Sequence, residues 1–127
     1  MKDLPVQMNP IPKECQANYW LSCMTINKEA MCQQNRTDDT SEYHSEPGKS
    51  CPDEIISVLA NHNVEARPIW KPMHLQPIFA ACDFISIREN DFVADDVFER
   101  GLCLPSDIKM TEEEQSQIIE IIKSCFH

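Results

Sequence analysis

Residues 67–77 read Arg67-Pro68-Ile69-Trp70-Lys71-Pro72-Met73-His74-Leu75-Gln76-Pro77, three prolines set beside an indole, an imidazole and two cations. Each proline lacks an amide donor and biases the residue before it away from helical geometry, which excludes an ordinary helix or a central strand here. The expectation is a stiff extended loop. Such a loop loses little entropy on ordering and suits a segment that presents Trp70, Lys71 and His74 in fixed positions. The alternative is a proline-rich connection whose Ile69, Trp70, Met73 and Leu75 only cover a core.

On either side the pattern alternates between strands and helices. Pro5, Pro10 and Pro12 make residues 1–17 an extended entry segment. Asn18–Ile26 is apolar on both alternating faces, as in a strand covered on both sides. Residues 27–50 are polar and charged with almost no apolar periodicity, and a connection that long is expected to be functional or mobile. A helix should start near Cys51-Pro52, with proline in the first turn and Asp53 and Glu54 at its positive end. Cys51 is a poor cap, so Ser50 is expected to take that role. His62 sits where a cation is favoured at the helix C-terminus.

Val64–Trp70 reads as a second strand leading into the proline loop. Val93, Val97 and Phe98 have helical spacing, and Gly101 would close that helix in a left-handed conformation. Leu102–Leu104 is a short third strand stopped by Pro105. Thr111 with Glu114 forms a capping box, and Ile118, Ile121, Ile122, Cys125 and Phe126 make one apolar stripe on the last helix. Together these elements indicate an α+β sandwich, a small and largely antiparallel sheet of about three strands packed with helices.

The chain has 127 residues, 42% hydrophobic and 25% charged, enough for one modest core. Its formal net charge of −10 argues against a nucleic-acid partner, because phosphate binding needs clustered cations and no basic stripe is present. No apolar run approaches a membrane span and the start has no hydrophobic signal core, so the cytoplasm is the expected compartment. Seven cysteines, an odd number at wide spacings with no Cys-x-x-Cys pair, meet neither a zinc nor a redox template. Free thiols are expected, with Cys23, Cys103 and Cys125 acting as small hydrophobes.

The proline-rich stretch resembles a signature of the DegT/DnrJ/EryC1/StrS sugar aminotransferases, which use pyridoxal phosphate (PLP) to aminate nucleotide-linked keto-sugars. Asn18-Tyr19-Trp20-Leu21-Ser22, Gly101-Leu102-Cys103-Leu104-Pro105-Ser106 and Thr111-Glu112-Glu113-Glu114-Gln115 also resemble that family's C-terminal region, in the same order. The likeness runs over roughly residues 3–126 apart from about 28–50. It implies a single C-terminal domain, residues 1–127, without the N-terminal cofactor domain on which such a domain packs.

A transaminase needs a lysine that forms a Schiff base with PLP, an acid facing the pyridine nitrogen and a phosphate cradle. The family carries these in its large domain, and no lysine here stands in that context. The resemblance therefore implies no catalytic residue, no PLP and no metal on this chain, with PLP held by a longer parent. It assigns Trp70 and His74 to contact with the sugar nucleotide, and Arg67 and Lys71 to phosphate or carboxylate. It further implies a homodimeric parent that makes amino sugars for surface glycans. The alternatives are a free-standing interaction module without catalysis and a fragment of the family's dehydratase branch.

Overall fold

The computed structural model describes residues 1–37, 40–87 and 92–127. In chain order the elements are β1 (Val6–Met8), β2 (Ser22–Ile26), β3 (Gln33–Arg36), β4 (Ser41–His44), α1 (Pro52–Asn61), β5 (Arg67–Pro68), α2 (Val93–Arg100), β6 (Gly101–Leu104) and α3 (Glu112–Ser124). The main sheet has the order β1-β2-β6-β5, all neighbours antiparallel, and β3-β4 form a separate hairpin. This is the α+β architecture expected from the sequence.

The main sheet gains a fourth strand because Val6–Met8, read as an extended entry, pairs with β2 in the register Val6↔Ile26 and Met8↔Met24. β2 itself starts later than Asn18. The Asn18 side-chain oxygen accepts the Trp20 amide at 3.1 Å and Tyr19 takes φ 53°, a local turn that diverts the chain before the strand begins. The strand expected over Val64–Trp70 shrinks to Arg67–Pro68, since Pro68 cannot extend a ladder and is tolerated only at the sheet edge that β5 occupies.

One face of the sheet carries the core. Met24 and Ile26 of β2 and Leu102 and Leu104 of β6 pack against Ile55 and Leu59 of α1 and Ile122 of α3. The helical residues come from single faces, and the strand residues from alternate positions, as the two periodicities require. At α3 the Thr111 hydroxyl accepts the Glu114 amide (3.2 Å) while Glu114 accepts the Thr111 amide (2.8 Å), completing the capping box. At α1 the cap differs from expectation. Cys51 is the N-cap with no side-chain bond, and Ser50 donates its hydroxyl to Glu54 at 2.8 Å instead of capping backbone. The far end of α1 closes through Asn63 at φ 58°, with His62 Nδ1 2.9 Å from the Val58 carbonyl.

Within the connection at 27–50, the described residues form a 3-10 turn at Lys28–Ala30 and the paired strands β3 and β4. Asp38 and Asp39 lie outside the described residues. The hairpin lacks apolar periodicity because polar groups fasten it. Ser45 and Ser50 hydroxyls bond the buried Glu54, while Arg36 and Ser41 bond Asp53. Both carboxylates sit in the first turn of α1, where the helix dipole favours negative charge.

Candidate functional site

The proline loop is only partly extended. After β5 it makes two single 3-10 turns, Met73–Leu75 and Pro77–Phe79; Pro72 precedes the first and Pro77 opens the second. Proline suits a first helical position because its missing donor has no partner there in any case. Of the four candidate residues, Arg67 and Trp70 line a groove that Lys71 and His74 do not reach.

Trp70 and Arg67 line an open groove of about 1330 Å³ between the β5-β6 edge and α3, together with Trp20, Cys103, Ser106 and Ile118. Trp70 is 62% exposed and stacks on Trp20, ring centroids 5.8 Å apart with planes at 28°. Arg67 extends along the rim and is paired with Glu65, its Nε 2.8 Å from Oε1. Ser106 fixes the groove floor, accepting the Ser22 amide at 2.7 Å and donating to the Leu104 carbonyl at 2.9 Å.

His74 faces the other way. Its Nε2 lies 2.8 Å from Asp95 Oδ1 at the start of α2, and its ring stacks on Phe84 at 3.8 Å with Phe92 edge-on at 6.1 Å. Here the imidazole packs the loop against α2, and the approach to Asp95 is a close contact of charges rather than an aligned hydrogen bond. Lys71 also lies off the groove lining, and its carbonyl accepts the Gln76 side-chain amide at 2.9 Å, bracing the first 3-10 turn.

Sequence reasoning named neither Trp20 nor Ser106 as site residues. The signal for Trp20 was Asn18, whose turn-forming side chain throws the next indole outward. For Ser106 the family-like run Gly101–Ser106 was the local signal, but its role could not be read from it, because its partner, Ser22, lies 84 positions away.

The groove does not fit PLP. Among the described residues lining it, the lysine is Lys109, exposed on a turn. Nearby Asp107 accepts the Lys109 amide (2.9 Å) and Glu114 is held by the α3 cap, so neither is aimed at a ring nitrogen. Under the groove Cys103 is buried, and burial followed by the adjacent Cys23 pushes its thiol up to about 11.

Large apolar side chains stand exposed on two segments of the chain. Ile11, Tyr19 and Trp20 belong to one; Trp70, Met73, Ile78, Phe84, Ile85 and Ile87 belong to the other. Exposure of this kind is more than an isolated surface residue and suits an interaction surface. No helix among the described residues is long and apolar enough to cross a membrane, and no cluster of ligating side chains among them could hold a metal ion.

A family model described as the DegT/DnrJ/EryC1/StrS aminotransferase family matches residues 14–123. A Bacillus subtilis (strain 168) protein assigned by its name as a pyridoxal phosphate-dependent aminotransferase, EpsN, is 47% identical over 76 residues, which cover 60% of this chain and 20% of that protein. Among solved structures, aminotransferase TlmJ from Streptoalloteichus hindustanus superposes with a TM-score of 0.61 over 95% of this chain and 26% of its own, at 15% identity, a likeness of fold. The chain thus spans about a fifth to a quarter of the length of the relatives it matches.

Proposed function

The chain belongs to the DegT/DnrJ/EryC1/StrS aminotransferase family, and from that premise we propose that it is the C-terminal portion of a PLP-dependent enzyme that aminates a nucleotide-linked keto-sugar. The observation that carries this reading is the stacked Trp20–Trp70 pair, held exposed at the mouth of a groove and flanked by uncovered apolar side chains. An exposed aromatic pair beside Arg67 offers a flat apolar surface and a cation, which together suit a partner that is both planar and anionic.

On this reading the apolar segments pack on a large domain that holds PLP, and the groove rim contributes to the substrate side. Trp70 and Arg67 contact the sugar nucleotide. His74 and Lys71 act on the same segment by holding its shape, His74 through Asp95 and Phe84. PLP supplies an electron sink for exchange of the amino group, with glutamate as the ordinary donor. The assembled enzyme is a cytoplasmic homodimer whose product feeds surface glycans such as those of pilin, flagellin or lipopolysaccharide.

The test is spectroscopic and enzymatic. Mixed with PLP, this chain should develop no absorption band of lysine-bound cofactor, whereas the longer protein containing it should show that band and convert glutamate to 2-oxoglutarate with a nucleotide-linked keto-sugar. A longer protein that binds PLP and dehydrates the sugar without consuming glutamate would overturn the transaminase reading. A chain that binds neither a large domain nor sugar nucleotide, but captures an unrelated protein through Trp20 and Trp70, would replace it with an interaction module.

A further inference from the structure

Cys23 in β2 and Cys103 in β6 are direct partners in the antiparallel ladder, with sulfurs 3.9 Å apart. The hydrogen bonding around Cys23 defines the kind of pair. Its amide donates to Asn9 Oδ1 at 2.8 Å, and its carbonyl accepts the Asn9 amide at 2.8 Å. Both groups point toward the β1 side, so neither bonds Cys103. The two cysteines therefore occupy a non-hydrogen-bonded position, where opposing Cα atoms approach to about 4.5 Å. That separation lies at the short end of the range a disulfide spans, about 4.4–6.8 Å, so rotation of the two side chains with a small adjustment of the strands brings the sulfurs from contact to a bond of about 2.05 Å.

We propose that Cys23 and Cys103 form a two-electron dithiol site, closed to a cross-strand disulfide by a low-molecular-weight disulfide and reopened by a thiol. Access orders the steps. Cys23 is half-buried and Cys103 is buried, and Cys103 lines the floor of the groove. The Cys23 thiolate attacks one sulfur of the small disulfide, forming a mixed disulfide and expelling one thiolate, which takes up the proton lost by Cys23. Cys103 then loses its proton and attacks the Cys23 sulfur, forming the cross-strand bond and releasing the second small thiol. Two protein thiols are oxidised and one small disulfide is reduced to two thiols.

The bond would staple the two central strands of the main sheet. Residues on both sides of the pair lead into the groove: Trp20 precedes β2, and Ser106, which holds the Ser22 amide, follows β6. It would also close a loop between positions 80 apart, which restricts the unfolded chain.

The experiment treats the folded chain with glutathione disulfide, blocks remaining thiols and maps tryptic peptides. The expected product links peptide 14–28 to peptide 101–109, with fragmentation placing the bond on Cys23 rather than Cys15. Cys23 and Cys103 escape the thiol block together and carry no glutathione, whatever the exposed Cys15 and Cys82 take up, dithiothreitol restores both, and the urea midpoint of the linked form is higher. Cys23→Ser and, separately, Cys103→Ala should each abolish the linked peptide and the rise in midpoint. Glutathione left on Cys23 beside a free Cys103, bonds confined to other cysteines, or a linked form with an unchanged or lower midpoint would each overturn the proposal. Mapping of the unmutated chain decides the matter even where a variant fails to fold.

Discussion

Arg36 grips Asp53 with two parallel bonds, Nη2 to Oδ1 at 2.5 Å and Nε to Oδ2 at 3.1 Å, and so fastens the β3-β4 hairpin to the first turn of α1. The same guanidinium donates to the Phe98 carbonyl at 3.2 Å and lies 5.0 Å from the centre of the Phe98 ring, which brings α2 into the contact. Both charged side chains are mostly buried, 16% and 11% exposed. Removing one partner leaves the other charge without compensation, so Arg36→Ala should destabilise the fold by about 2–4 kcal/mol. Arg36→Lys should recover only a minor part, because an ammonium cannot make the paired bonds or lie flat on the ring. Urea unfolding followed by far-UV circular dichroism measures both; a Lys variant as stable as the wild type would show that charge alone suffices.

Gly101 is required for space rather than for a left-handed turn. Its φ of −108° is open to any residue, but a Cβ there would stand 2.4 Å from the Val97 carbonyl oxygen and 2.6 Å from Ile69 Cγ1. The first of these contacts is backbone and cannot swing aside. Gly101→Ala should therefore cost about 2–3 kcal/mol by pushing α2 off β6. Gly48, at φ 76° with nothing near its Cβ position, offers the contrast: alanine there should cost about 1 kcal/mol through backbone conformation alone. Thermal melts of the two variants separate the causes.

The difference at Gly101 indicates where the sequence was readable. Local patterns gave α1, α2 and α3 nearly to the residue, since proline at the start, an acidic first turn and the Thr111–Glu114 box act within one turn of chain. What depended on distant partners was hidden. β1 is a strand only because β2 lies beside it, and the hairpin at 33–44 holds because α1 offers Asp53 and Glu54 to polar groups that carry no periodic signal. The site divided in the same way. The presentation of Trp70 at the surface was legible from the stiff prolines around it, whereas the turning of His74 toward Asp95 required knowing that α2 packs there.

Trp20 and Trp70 should matter little to stability and much to assembly. Both are mainly exposed, 69% and 62%, so Trp70→Ala forfeits chiefly their mutual stacking, about 0.5–1.5 kcal/mol. Urea midpoints should shift modestly for Trp70→Ala and for Trp20→Ala. The double variant should cost no more than the larger single one, since either change ends the same contact. On the function proposed above, each substitution in the longer enzyme should lower kcat/KM for the sugar substrate by more than tenfold while PLP absorbance stays intact. Loss of PLP together with activity would place the pair in the fold of the cofactor domain instead.

Asp96 supplies a stability that acid removes. The Arg100 guanidinium, at 2.5 and 3.0 Å, and then Lys28, at 2.9 Å, hold its carboxyl at about 2, below the usual 3.8. Because the folded value is the lower one, the contribution is complete above about pH 4 and disappears as the pH falls through about 2. The carboxylate keeps partial contact with water, so screening limits its worth at neutral pH to about 1 kcal/mol. Asp96→Asn should show that deficit at pH 7 and approach the wild type as the pH drops toward 2. Arg100 also donates to the Ile26 carbonyl, so the loosened guanidinium would weaken the end of β2 as well. Unfolding curves for the two proteins between pH 2 and pH 7 test this directly: a difference that stays constant across the range would mean that Asp96 contributes through packing and not through its charge.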